Sequence, residues 1–211
     1  NTNQPQINTS CRITQRSRMK IMRSKYLHPQ NMIVAFDVET TGLSVERGDR
    51  VVEIAGVKLM HGRRIGYFNS LVSTGRRISR AAGKIHGIIP EMLEGMPGPD
   101  VVFPSFFDFI GRALLVAHNA RFDIAFLRHE FRRLGFGLSN PHECTLRMSR
   151  RICPELPDHS LSTVYRRLCG EIPLGIQPHR ALYDACLTAE IWLRMTGRHE
   201  ACSHEKGVRK I

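Results

Sequence analysis

Residues 32–42 read MIVAFDVETTG, an apolar run that ends in two acids and a glycine-containing turn. A short apolar run closed by turn residues predicts a buried β-strand. Side chains at positions i and i+2 lie on the same face of a strand, so the carboxylates of Asp37 and Glu39 are expected side by side at its end. The strand therefore ends in a pair of like charges that an apolar core does not accommodate.

This carboxylate pair has two interpretations. Adjacent negative charges at the end of an apolar strand are costly unless a cation neutralises them. Carboxylate oxygens are the ligands that Mg²⁺ and Mn²⁺ prefer, which favours a metal site. Alternatively, the Asp-x-Glu pair lies in a solvated loop and holds nothing. The pair by itself does not decide between them.

The segments that follow predict an α/β fold. Val51–Leu59 and Ile65–Val72 have the character of strands and are separated by a short linker with Gly62, which predicts a hairpin. A further strand-like run, Ala113–Ala117, lies among stripes of apolar residues at helical spacing. These stripes are Phe106, Phe109 and Ile110; Ile124, Leu127, Phe131 and Leu134; Leu161, Val164 and Leu168; and Leu182, Ala185, Ala189 and Trp192. We expect a mixed sheet, with antiparallel hairpins and parallel strands, flanked by helices.

Two further motifs place acids at the starts of helices. Residues 118–123 read HNARFD and follow the strand-like run, so Asp123 is expected in the first turns of the next helix. Residues 179–184 read HRALYD and open the last helix in the same way, with Asp184 at the edge of its buried face. His179 is expected in the loop before that helix, over the same cleft. Four acids and a histidine at the ends of elements fit a two-cation site better than a core.

The three motifs together resemble those of the DEDD 3′–5′ exonucleases. The connecting segments 51–55, 85–88 and 192–197 match as well, and the similarity is greatest to the proofreading epsilon subunits of bacterial DNA polymerase III. A histidine five residues before the last acid is typical of the histidine branch, called DEDDh. The resemblance covers residues 32–197 and implies an RNase H-like fold. Residues 1–31 are then expected to be a basic tail, and residues 198–211 a short polar one.

The resemblance also implies roles for the motif residues. Asp37, Glu39 and Asp184 would hold one Mg²⁺ or Mn²⁺ ion. Asp37 and Asp123 would hold a second, and His179 would take a proton from the attacking water. The residues expected to contact substrate are Thr40, Thr41, Leu43, His86 and Asn119. A plain turn around Gly42 and an exposed loop histidine at position 86 are the alternatives, and Glu53 is expected to be structural.

An enzyme of this kind removes nucleoside 5′-monophosphates from DNA 3′ ends. Single-stranded DNA is the favoured substrate, and a DNA polymerase subunit is a candidate partner. One alternative is the same chemistry on RNA, because no motif of the sequence reads the 2′-hydroxyl. Another is a catalytically silent module that binds nucleic-acid ends or a polymerase, although five intact motif residues argue against it.

Charge and composition agree with a nucleic-acid partner. The 211 residues include 31 basic and 19 acidic side chains, a net charge of +12, which favours a polyanionic partner. Six of the basic residues lie in the acid-free segment 1–31, which either attracts phosphates or is a solvated tail. No run approaches the ~18 uncharged apolar residues of a membrane-spanning helix, which excludes an integral membrane protein. Nucleic acid comes before a membrane surface as the polyanionic partner, and no membrane partner is expected. The cysteines form no C-x-x-C pair, which favours the cytoplasm; an organelle is the alternative if the tail is a transit-peptide remnant.

Overall fold

The computed structural model describes residues 32–172 and 179–197, and both predicted tails lie outside the described residues. The strands are β1 (Ile33–Thr40), β2 (Val51–Met60), β3 (Arg63–Leu71), β4 (Leu114–Ala117) and β5 (His142–Cys144). The helices are α1 (Arg80–His86), α2 (Pro99–Ile110), α3 (Ala120–Arg133), α4 (Thr145–Ile152), α5 (Leu161–Cys169) and α6 (Ala181–Thr196), with 3₁₀ turns at Val45–Arg47 and Pro90–Leu93. Within these ranges no helix combines the length and apolarity needed to span a membrane.

The strands form one mixed sheet in the order β3-β2-β1-β4-β5. β2 pairs antiparallel with β1 and with β3, whereas β4 pairs in parallel with β1 and β5. The predicted hairpin is confirmed, and its turn residues His61 and Gly62 both have positive φ angles, 52° and 81°. A two-residue hairpin turn of type I′ requires positive φ at both positions. The predicted α/β class with a mixed sheet is therefore confirmed.

Helices cover both faces of the sheet, and β1 contributes to both cores. Ile33 and Ala35 pack with residues of α5 and α6, whereas Phe36 packs with α2 and α3. Because side chains alternate along a strand, Asp37 and Glu39 continue the row of Ile33 and Ala35. The two acids therefore lie on the face of the sheet that α6 covers.

The sequence patterns do not predict α1, α4 and β5. α1 has seven residues and no apolar stripe, and its sequence signal is the N-cap Ser79, whose hydroxyl accepts a hydrogen bond from the Ala82 amide. β5 has three residues, too few for a periodic pattern. β1 also runs further than its apolar residues suggest, through Thr40. Asp37 and Glu39 consequently lie within the strand, where pairing with β2 fixes their backbone.

Candidate active site

Asp37, Glu39 and Asp184 form a cluster of carboxylates at the centre of the site. One carboxylate oxygen from each lies within 4.8 Å of the others, and all three side chains are half-buried. Asp37 and Glu39 are neighbours because of the strand alternation. Asp184 arrives from the first turn of α6, which packs against β1 and β2. Three hard oxygen ligands at this spacing suit one divalent cation.

Asp123 adds a fourth carboxylate from the other face of the sheet. It is the fourth residue of α3 and only 2% exposed, and its Oδ1 accepts a hydrogen bond from the Val38 amide at 3.3 Å. The parallel pairing of β1 with β4 ends at Ala35 and Val116. Asp123 thus accepts a backbone hydrogen bond from β1 at a position beyond the end of its pairing with β4. A negative charge in the first turn is also favoured by the helix dipole.

Burial raises the pKa of each of these acids, and for Asp37, Glu39 and Asp123 the charges of other acids of the cluster add to it. Burial, followed by the charges of Asp123 and Glu39, raises the pKa of Asp37 well above its ordinary value. The pKa of Glu39 rises to about 8 through burial and then the charge of Asp184. Burial raises the pKa of Asp123 to about 8, and that of Asp184 to about 6 although nearby His179 lowers it. A divalent cation would neutralise this concentrated negative charge, so the residues present fit such an ion.

His179 lies at the mouth of the cluster. It is exposed and lies two residues before α6, as the sequence predicts. Its φ of 59° is unusual for a residue with a side chain, and such backbone strain is concentrated at functional sites. A cavity of about 350 Å³ beside it is also lined by Asp184 and Tyr183 of α6 and by Leu161 and Arg166 of α5. His179 and Asp184 therefore face the same open space.

A buried ion pair fixes the start of α6. Glu53 of β2 is 1% exposed and accepts hydrogen bonds from Arg180, from Nη2 at 2.8 Å and from Nε at 3.0 Å. It also accepts the Ala181 amide at 3.1 Å. In the β1–β2 register Glu53 lies directly opposite Glu39. The structural role expected of Glu53 agrees with these contacts, but the sequence patterns do not identify its partner Arg180. The sequence feature that could have predicted such a partner is an acid within an apolar strand, because a buried carboxylate is costly unless it is paired with a cation.

A second buried ion pair fixes α3. Glu130 is fully buried, and its two carboxylate oxygens accept Nε and Nη2 of Arg50, each at 2.7 Å. The Val51 amide donates to the same carboxylate at 3.3 Å. Each helix that carries an acid of the site is therefore held against the start of β2 by a bidentate arginine–glutamate pair.

In the turn after β1 one apolar side chain is exposed to solvent, and two threonine hydroxyls form hydrogen bonds within the turn. Thr40 Oγ1 donates to the Gly42 carbonyl at 2.6 Å. Thr41 Oγ1 donates to Asp49 Oδ1 at 3.2 Å and accepts the Arg50 amide at 3.0 Å. Both threonines are buried, whereas Leu43 is 81% exposed. Leu43 is therefore open to solvent, and the two hydroxyls stabilise the turn.

His86 and Asn119, the other predicted substrate contacts, differ in their surroundings. His86 ends α1 and is buried; its Nδ1 accepts the Ile88 amide at 3.0 Å, so Nε2 donates to the Thr40 carbonyl at 3.2 Å. The alternative of an exposed loop histidine is therefore wrong, and the ring supports the end of β1. Asn119 is exposed directly before α3, and its side chain makes no cap hydrogen bond to that helix.

The fold and the cluster define an α/β protein with carboxylates suited to a divalent cation at the end of its central strand. Residues 34–192 match a family model whose description is exonuclease. The chain belongs to this exonuclease family. The resemblance inferred from the three motifs is therefore confirmed, and so is the RNase H-like fold.

Curated relatives include bacterial polymerase proteins. A DNA polymerase III PolC-type protein of Halalkalibacterium halodurans is 38% identical over 77% of this chain. A DNA polymerase III subunit epsilon-like protein of Rhodobacter capsulatus is 40% identical, also over 77% of the chain. The chain spans only 11% of the first relative and 23% of the second.

Solved structures of two exonucleases share the fold. Exonuclease X, in complex with a 5′ overhanging duplex DNA, superposes with a TM-score of 0.64 and 31% identity, over 78% of this chain and 91% of that one. Escherichia coli exonuclease I, in complex with a dA16 oligonucleotide, has a TM-score of 0.69 over 81% of this chain and 42% of that one. Because the sequence identity is 18%, the similarity to exonuclease I concerns the fold alone.

Proposed function

We propose that the protein is a two-metal-ion 3′–5′ exonuclease that removes nucleoside 5′-monophosphates from DNA, with single-stranded 3′ ends favoured. The observation that carries the proposal is the cluster of Asp37, Glu39 and Asp184, with oxygens within 4.8 Å of one another. Asp123 stands beside it, close enough for its charge to raise the pKa of Asp37. We assign this activity to residues 32–197.

The four acids would hold Mg²⁺ or Mn²⁺. Asp37, Glu39 and Asp184 would be the ligands of one ion, and Asp37 and Asp123 those of a second. When bound, two such ions supply charge stabilisation for the attacking and leaving oxygens of an in-line displacement at phosphorus.

The remaining work falls to residues at the mouth of the site. The exposed imidazole of His179 takes the proton from the attacking water, the role of a general base that histidine side chains fill most often in enzymes. The cavity beside His179 gives room for the terminal nucleotide. The exposed Leu43 packs against its base. The water oxygen bonds to phosphorus while the bond from phosphorus to the 3′ oxygen of the preceding nucleotide breaks. That oxygen leaves with the electron pair and takes a proton from solvent, which gives the shortened strand a new 3′-hydroxyl.

The choice of DNA rests on the relatives. Exonuclease X, 31% identical, was solved with a duplex DNA, and the polymerase relatives make a DNA polymerase subunit a candidate partner. In the sequence no motif distinguishes the 2′-hydroxyl of RNA, so the same active site on RNA is an outcome that the experiment must test.

The test uses single-stranded DNA and RNA of one sequence, labelled at the 5′ end and incubated with Mg²⁺ or Mn²⁺. We expect a ladder that shortens from the 3′ end, faster on DNA, and that disappears with EDTA. Asp37→Ala is expected to lower the rate by at least ~10³-fold, because the residue is shared by both proposed ions. Asp108→Ala, which removes an exposed acid of α2, is the matched control and should keep full activity.

Three results would contradict the proposal in different ways. Faster degradation of RNA would reassign the substrate. Cleavage that survives EDTA would refute the role of metal ions. Binding of both strands without cleavage would support the silent module. Burial and the charges of the neighbouring acids raise the pKa of Asp37, which means that its carboxylate is unfavourable in the metal-free fold. The Asp37→Ala protein should therefore stay folded without metal, and circular dichroism checks this.

A further inference from the structure

A row of basic residues lies beside the turn that follows β1. From Leu71 to Pro90 the sequence contains no acid and four basic residues. Together with Arg47 of the neighbouring 3₁₀ turn they form what we call the basic shelf: Arg47, Arg76, Arg77, Arg80 and Lys84. All five are exposed.

Two hydrogen bonds join α1 and its N-cap to the end of β1, and a third joins two members of the basic shelf. The Ser79 amide donates to the Thr41 carbonyl at 2.8 Å, and Arg76 Nη2 donates to the Arg47 carbonyl at 3.0 Å. At the other end of α1, His86 donates to the Thr40 carbonyl at 3.2 Å. Thr40 directly follows Glu39, so the shelf is fastened to the strand that carries the central acids.

The far end of α1 approaches the catalytic cluster itself. His86 lies near enough to Arg180 and His179 for their charges to contribute to the lowering of its pKa, after burial. Two apolar residues around it, Ile85 and Ile89, are 55% and 50% exposed. The surface that leads away from the site is therefore basic, with apolar side chains between the charges, and this suits a strand of nucleotides.

Local structure does not explain the charge of Arg80. It occupies the first position of α1, where the helix dipole disfavours a cation, and the first turn of α1 contains no acid. Lys84, by contrast, lies in the last turn, where the dipole favours a cation. Beside Arg47 in the sequence, the exposed acid Glu46 accepts the Ser44 hydroxyl at 2.8 Å. A sequence that keeps Arg80 at a position unfavourable for the helix points to a use outside the helix.

We propose that the basic shelf binds phosphates of the strand being degraded, on the 5′ side of the nucleotide that is removed. The proposal rests on the exonuclease function and adds to it the path of the substrate. The strand would run from the carboxylate cluster past Leu43 and along α1. A basic surface of this kind binds without regard to sequence and supplies affinity that salt weakens.

The test compares two pairs of substitutions that remove equal charge. Arg77→Ala with Lys84→Ala removes two cations from the shelf. Arg112→Ala with Arg132→Ala removes two exposed cations elsewhere, one just before β4 and one at the carboxyl end of α3. The probes are a long single-stranded oligothymidylate, the same strand in a duplex with a recessed 3′ end, and the p-nitrophenyl ester of thymidine 5′-monophosphate.

We expect the shelf pair to raise KM for the single strand and to weaken its dependence on salt. Each single-strand phosphate contact contributes ~0.7 to the slope of log affinity against log salt. If two contacts are lost, the rise in KM between about 50 and 200 mM salt should be about sevenfold smaller than in the parent. The control pair should behave as the parent, and hydrolysis of the small ester should be alike in both pairs because it has no upstream phosphate.

The outcomes separate the two proposals. An unchanged salt slope for the shelf pair, or an equal change in the control pair, overturns the shelf. A change confined to the duplex would assign the shelf to the complementary strand and overturn the proposed path of the degraded strand. If the parent cleaves neither the strand nor the ester, the exonuclease function fails. Fluorescence anisotropy of a labelled single strand in EDTA then measures the same slope without catalysis and decides the shelf alone.

Discussion

At the residue scale, the site brings like charges together, and an arginine pairs with one of them. Glu39 and Glu53 face each other across β1 and β2, an arrangement that destabilises a sheet when both are unpaired. Arg180 neutralises Glu53 through three hydrogen-bonding contacts and also lowers the pKa of Glu39, although burial and the surrounding acids outweigh it. Glu39 has no such arginine partner among the described residues, which agrees with its proposed role as a metal ligand.

Glu53→Gln is expected to weaken both stability and catalysis. The side-chain oxygen of the glutamine can still accept a hydrogen bond from the backbone N–H of Ala181. The uncharged side chain loses the charge-assisted hydrogen bonds to Arg180 that position α6. We expect the free energy of unfolding to fall by about 1–2 kcal/mol. kcat should fall by ~10-fold or more, because Asp184 and His179 lose their support. Urea denaturation and steady-state kinetics measure the two effects. Glu91→Gln, at an exposed acid, is the control, and a Glu53→Gln protein as active as the parent would contradict the positioning role.

His179→Ala should reduce kcat by ~10²- to 10⁴-fold, the usual contribution of a general base. The residue is not one of the proposed ligands, so the concentration of Mn²⁺ that gives half-maximal activity should stay the same. Titrating residual activity with Mn²⁺ separates the two roles. A large rise in that concentration would instead make His179 part of the metal site. His142→Ala, at another exposed histidine, serves as the matched control.

At the element scale, α3 and α6 present their acids in the same way. Asp123 and Asp184 are each the fourth residue of their helix, and each helix begins at the end of β1 that carries the other two acids. A residue with positive φ precedes each helix, Asn119 at 70° and His179 at 59°. At Asn119 the left-handed conformation turns the chain sharply from β4 into α3, which aims the first turn of α3 at the site.

Asn119 allows the backbone role to be separated from a role in substrate binding. Asn119→Ala should lower the free energy of unfolding by about 1 kcal/mol, because alanine is disfavoured at this φ. Asn119→Gly should leave stability nearly unchanged. If the side chain also contacts substrate, both variants should raise KM equally. Thermal unfolding and KM measured on one DNA strand test this. Equal destabilisation by glycine and alanine would contradict the backbone explanation.

At the scale of the whole molecule, the fold holds negative charge inside a chain whose net charge is +12. The four acids of the site come from both faces of the sheet, and two arginine–glutamate pairs keep the helices in place around them. The metal-free protein must therefore fold against the repulsion of its own site. Its stability should depend on pH and on divalent ions for that reason.

The metal-free protein is expected to be more stable near about pH 5 than near about pH 8. The ordinary pKa of Glu39 is 4.5 and that of Asp123 is 3.8, and both rise to about 8 in the folded state. The folded state therefore binds more protons than the unfolded state between these values, and the free energy of unfolding falls as pH rises through this range. Mg²⁺ at ~100 times its Kd should restore about 2.7 kcal/mol at the higher pH.

Urea titrations with EDTA or Mg²⁺ across this pH range measure the effect. Asp123→Asn, which can still accept the Val38 amide, should flatten the profile, whereas Asp108→Asn should not change it. A metal-free profile that does not decline, or one that Mg²⁺ leaves unchanged, would refute the expectation.

Periodicity and motif spacing predicted the elements that carry the chemistry. The hairpin, the strand before Asn119 and the helix stripes all appear in the structure. The short elements α1, α4 and β5 were not predictable, because three to eight residues give no reliable period. The positions of the four acids follow from strand alternation and from the first turns of two helices, and His179 lies before α6 as expected. Their chemical roles stay predictions until the experiments above are done.

The sequence by itself determined the α/β class, the family and the five residues expected to do the chemistry, because these depend on local periodicity and on the spacing of motifs. Only the tertiary structure decided which buried charges pair. Arg180 and Glu53 are 127 residues apart in the chain, and Arg50 and Glu130 are 80 apart. It also decided that His86 supports β1 from within the protein, and that the cations of α1 lie beside the active site. The physical reason is that most buried charges and polar groups need a partner, and the partner is set by the packing of helices on the sheet, which no local pattern records.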